Sequence, residues 1–121
     1  MVNLHTQYTD FLNEAAKSKQ PFEEFAKNRL AGATKIAENA EKKGGDAMLT
    51  YHHFVVKLPV YKQAAEGKFK LDKAMLNLDK HMKRLNAGVN KEVEIRPVDF
   101  QKIVGLIEVW GELIIKYHET H

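Results

Sequence analysis

Apolar residues along this chain recur at intervals of three and four between three prolines and seven glycines, the period of an amphipathic helix. The pattern predicts five helices and no sheet. Over residues 3–17, Leu4, Tyr8, Phe11, Leu12 and Ala15 share one face, with polar residues opposite. Pro21 opens the second helix, where its missing N–H is no loss. In residues 21–43 the positions Phe22, Phe25, Ala26, Leu30, Ala33, Ile36, Ala37 and Ala40 fall within an arc of about 140°. Its alanines allow a neighbour to approach closely. Gly44 and Gly45 end it, because glycine reaches left-handed backbone angles readily, and Asp46 stands where an N-cap is needed.

Residues 47–58 are apolar nearly all the way round, through Met48, Leu49, Tyr51, Phe54, Val55, Val56 and Leu58, with Thr50, His53 and Lys57 sharing a polar stripe. Such a helix is expected in the middle of a bundle. Pro59 removes a backbone donor and disfavours helix at Leu58, so a break and a short turn of helix through Ala65 should follow. Residues 71–86 are expected to bury Leu71, Ala74, Met75, Leu78, Met82 and Leu85, and to stop at Asn86, Ala87 and Gly88. Residues 89–96 read as a loop, and Pro97 with Asp99 marks the start of the last helix. That helix, residues 98–118, is apolar over roughly two thirds of its circumference. Gln101, Gly105, Glu108, Glu112, Lys116 and Glu119 make up the rest.

The chain therefore reads as an all-α, single-domain bundle of about five helices over residues 1–121, the third and fifth central and the others packed around them. Covering two such apolar helices with so short a chain is demanding. A homo-oligomer or another protein partner is expected to meet the surplus, two-fold pairing being the commonest solution.

Composition narrows the class. No stretch approaches the ~18 consecutive apolar residues of a membrane span, so no membrane association is expected. The first twenty residues lack the apolar centre of an export signal, and cysteine is absent, which removes disulfides and thiolate metal sites. A cytoplasmic location is the expectation. Serine occurs once, at Ser18, and there is no glycine-rich phosphate loop, so nucleophilic serine or cysteine catalysis is not indicated and no catalytic residue or cofactor is assigned. Among six histidines none stands three after a glutamate, and His52 and His53 point about 100° apart on a helix, so no metal set is assigned.

Charge changes the picture more. Residues 57–91 hold nine basic and three acidic side chains, residues 92–121 three and six, and residues 1–56 seven of each. Lys73, Lys80 and Arg84 form one stripe of the fourth helix, with Asn77 in the same row, Lys83 beside it and Lys68 and Lys70 just before it. This basic face is the candidate binding surface. It suits either the acidic stripe of the last helix on another subunit or a nucleic-acid backbone. A third set is a candidate internal polar site: His52 on the apolar side of its helix, Arg29 inside the apolar arc of the second, and Glu108 or Glu112 as carboxylates to receive them. The preferred functional expectation is a non-enzymatic, self-associating interaction protein, with non-specific nucleic-acid binding and a metal- or ligand-binding bundle around His52 as alternatives.

Overall fold

The computed structural model describes residues 21–121, and the helix expected over residues 3–17 lies outside the described residues. The described chain is an all-α, single-domain bundle with five helices and no strand among the described residues: α1 (Pro21–Lys43), α2 (Ala47–Val55), α3 (Leu58–Ala65), α4 (Leu71–Val89) and α5 (Pro97–Thr120).

On α1 the alanine row is what is buried: Ala26, Ala33, Ala37 and Ala40, with Phe22 at the first turn. Small side chains let α2 and α3 lie close against it. The helix ends at Gly44 and Gly45, whose φ of +64° and +56° would strain any residue with a Cβ. Asp46 occupies the N-cap position of α2, but its backbone is already helical and its side chain makes no capping bond. Pro59 acts as its covalent structure requires: α2 stops at Val55, two residues of turn follow, and α3 restarts with the proline in its first turn.

The core joins α1, α3 and α5 through Phe22, Ala26, Ala33, Val60, Tyr61, Ala64, Val109 and Leu113. The last helix is central, with Ile103, Gly105, Val109 and Leu113 buried. The expectation of a central third helix is corrected. None of the nine residues of α2 is fully buried, because α1 and α5 flank it while Leu49 and Thr50 face outward.

Gly105 sets how closely α2 meets α5. A Cβ there would run into the carbonyl oxygen of His53 and come within 2.9 Å of Val56 Cγ2. The two backbones touch where a side chain would otherwise separate them.

Two expectations about α4 are also corrected. It runs through Gly88 to Val89, and Gly88 is held within the helix by Ile95 folding over it. It is also rotated. Packed chiefly on α5, it buries the row through Ala74, the small residue that permits contact, and half-buries Leu78, His81 and Leu85. Met75 and Met82 lie about 80–100° round from Ala74 and are 54% and 47% exposed. One neighbouring helix covers only one row of side chains.

Two glycines of α5 should respond oppositely to the same change. Gly105→Ala forces α2 away and is expected to destabilise by about 1–3 kcal/mol. Gly111→Ala, with no atom of the described residues within 4 Å of the added methyl, is expected to stabilise by up to ~1 kcal/mol. Urea unfolding of both variants checks this; equal effects would remove Gly105 from its role.

Candidate functional site

A polar seam crosses the interior where α2 and α3 meet α5. His53, Lys57 and Tyr61 stand four apart, so they form a single row that continues through the break at Pro59. Opposite them on α5 stand Gln101, Glu108 and Glu112. His53 Nδ1 lies 3.2 Å from Gln101 Oε1 and its Nε2 3.0 Å from Glu108 Oε1. Lys57 Nζ donates to the same Glu108 oxygen at 2.8 Å, and the Tyr61 hydroxyl donates to Glu112 Oε1 at 2.6 Å. Arg29 reaches in from α1 to within 3.6 Å of Glu112 Oε2 while its guanidinium lies over the Phe25 ring.

Lys57 is the buried charge of the seam, only 6% exposed, with its ammonium 4.7 Å from the Phe54 ring centroid. Sequence reasoning placed it on a solvated stripe. The signal that identifies it is the pair of matched rows, a His-Lys-Tyr row at four-residue spacing facing a Gln-Glu-Glu row. Burial opposes the charge on Glu108, but the hydrogen bonds and charges of Lys57 and His53 outweigh it and hold the carboxyl below its usual range. Burial first, then the hydrogen bond to Glu112 and its charge, push the Tyr61 phenol well above its usual range.

Of the candidate internal polar site, the structure brings Arg29 to Glu112 and leaves His52 outside the seam. The His52 ring stacks on Tyr51 at 5.3 Å, and the neighbouring His53 takes the carboxylate instead. Among the described residues no three His, Asp or Glu side chains come together as a cation site. Each seam carboxylate faces a cation or a hydroxyl. The seam holds helices together.

The basic residues divide into three groups. Lys68, Lys70, Lys73 and Asn77 stand with Gln63 around a cavity of about 90 Å³ whose apolar wall includes Phe69 and Trp110. Lys80 and Arg84 lie further along the same side of α4, where they flank His81. Burial, then these two charges, hold that imidazole below its usual range. Lys83 faces away and pairs with Asp79 at 2.9 Å.

The opposite flank of α4 is apolar. Lys73 and Asn77 share the pocket with Trp110, so on two antiparallel helices Met75 and Met82 fall beside the other flank of α5, which carries Phe100, Ile107 and Ile115. Phe100 and Ile115 are 41% and 62% exposed. An open groove of about 580 Å³ continues this flank along Ile107, Gly111 and Ile115 to Phe25, with Glu108, Glu112 and Glu119 on its far side. No helix among the described residues is long and apolar enough to cross a membrane. No family model, curated protein or solved structure matches the chain.

The seam predicts a pH dependence with two arms. The folded Glu108 carboxyl titrates below its ordinary 4.5, so its stabilisation is present above that value and lost as pH falls below it. Tyr61 titrates above its ordinary 10.0, so stability is present below that value and lost as pH rises past it. Glu108→Gln should flatten the acid arm alone and Tyr61→Phe the alkaline arm alone, in urea midpoints measured from acid to alkali. At neutral pH, Glu108→Ala should destabilise by about 1–2 kcal/mol, less than a fully buried pair, because half of the carboxylate meets water.

Proposed function

We propose that this protein is a small, non-enzymatic interaction module that pairs with a second copy of itself through the apolar flank shared by α4 and α5. The observation that carries the reading is the alignment of exposed Met75, Met82, Phe100 and Ile115 on adjoining helix faces. The charged group nearest these methionines is Asp79, which lies beside them on α4 and is paired with Lys83 at 2.9 Å. An exposed apolar surface of this kind favours an apolar partner over a nucleic acid, and methionine packs adaptably at such contacts. A two-fold axis supplies a matching face without requiring a second gene product.

The acidic stripe contributes less to this pairing than its sequence suggests. Glu108 and Glu112 are engaged within the chain by Lys57, His53, Tyr61 and Arg29. Light scattering on the full chain should give a mass twice that of the monomer in the micromolar range. Met82→Glu with Ile115→Glu should return it to monomer with its helical circular dichroism intact. A monomer throughout, up to millimolar concentration, would overturn the reading.

A second reading is favoured by the other side of α4, where Lys70, Lys73, Lys80 and Arg84 have no acidic partner within ion-pair distance among the described residues. Their common flank suits a phosphate backbone. Anisotropy with labelled oligonucleotides should then show affinity falling steeply with salt. Lys80→Glu with Arg84→Glu should lower the log–log salt slope by roughly 2.

A further inference from the structure

We propose that the pocket between α3, the connection at residues 66–70, α4 and α5 binds a phosphate group carried on a small apolar or aromatic body. Its construction begins at Gly67, whose φ of +78° reverses the chain after α3. Beyond it the backbone straightens, with Lys70 extended at φ −129° and ψ 121°. Successive side chains of an extended segment point to opposite sides. Phe69 turns to the core, 4.8 Å from the Phe22 ring and 5.3 Å from Tyr117, and Lys68 and Lys70 are left together on the other side. Lys73 and Asn77, one turn apart on α4, complete the cationic rim, and Gln63 of α3 adds a second amide.

The lining has a clear chemical bias. Three lysines and two amide residues line the cavity, and no acidic residue lines it among the described residues. Among the described residues Lys70 and Lys73 have no ion pair, and Lys68 has only a loose one, 3.9 Å from Glu66. Three cations around one small space repel each other, so a ligand that carries two negative charges relieves more of that repulsion than a monoanionic carboxylate does. The amides supply donors that suit a tetrahedral oxyanion. A volume of about 90 Å³ is well above the ~15 Å³ that one water requires. The inner wall of Val60, Ala64, Phe69 and Trp110 is apolar and partly aromatic. A bare anion would leave that wall unused, and a phosphate on a small flat body uses both halves of the site.

The site is independent of pairing through the apolar flank, which lies on the other side of α4. Trp110 is the single tryptophan of the chain, and it lines the pocket, so its fluorescence reports occupancy directly. The full-length protein is titrated at low salt with phenyl phosphate, with inorganic phosphate, with neutral benzyl alcohol and with an oligonucleotide lacking terminal phosphates. The expected result is a saturable change with phenyl phosphate, a weaker one with inorganic phosphate and none with benzyl alcohol. Lys70→Gln with Lys73→Gln should weaken phenyl phosphate binding at least tenfold, and Lys42→Gln at the far end of α1 should leave it unchanged. Both lysines are exposed, so the double variant should keep its helical circular dichroism. The proposal is overturned by no saturable response to either phosphate. A response confined to the oligonucleotide, or equal losses in the Lys42 and Lys70/Lys73 variants, would overturn it as well.

Discussion

The contact between the α5 backbone at Gly105 and the α2 carbonyl of His53 is the constraint on which the rest of the fold depends. Helices separated by ordinary side chains pack with axes some 8–10 Å apart, and the missing Cβ of Gly105 lets these two approach until backbone meets backbone. With the Cβ absent at the crossing, His53 on one side of the contact reaches Gln101 and Glu108, and Lys57 one turn later reaches Glu108 as well. The close approach and the polar seam are therefore one feature. Glycine permits the distance, and the hydrogen bonds fix where along the two helices it occurs.

The seam is polar because of where it lies. α2 is too short to cover α5 along its length, and the crossing sits between the apolar centre built on Val109 and Leu113 and the open groove beyond Glu108. A charge at such a boundary keeps part of its hydration. Lys57 buries its stem against Phe54 and delivers its ammonium to a carboxylate that is half exposed. A pair of this kind stabilises modestly.

The fold class was legible because periodicity and punctuation agree. Proline at positions 59 and 97 and glycine at 44, 45 and 67 mark boundaries that the structure places within a residue or two. What the pattern could not fix was rotation. The apolar residues of α4 span more of its circumference than one neighbour can cover, and hydrophobicity alone does not say whether the row through Ala74 or the row through Met75 faces inward. The small residue decided it. Centrality was misjudged in α2 for a related reason, since an apolar wheel records what a helix can bury and not how many neighbours it has. Arg29 and Glu112 were recognisable as partners, whereas Lys57 and His53 were hidden by a stripe that looks solvated until the opposing glutamates are brought against it.

The charge split along the sequence divides differently in three dimensions. Glu108 and Glu112 turn towards α1, α2 and α3, and are satisfied there by groups of those helices. The cations of α4 stand on the far side of α5 from that seam, beyond the reach of its carboxylates, and Asp72 and Asp79 of α4 itself lie round its other side. Neutralisation within the chain thus removes acidic residues from the surface in one place and leaves the flank of α4 uncompensated in another. The folded molecule is more polarised than its modest net charge of +3 suggests. Repulsion along that flank is a standing free-energy cost that an anionic ligand relieves on binding, which makes the lysine-lined pocket a more economical place for phosphate than a neutral cleft of the same size would be.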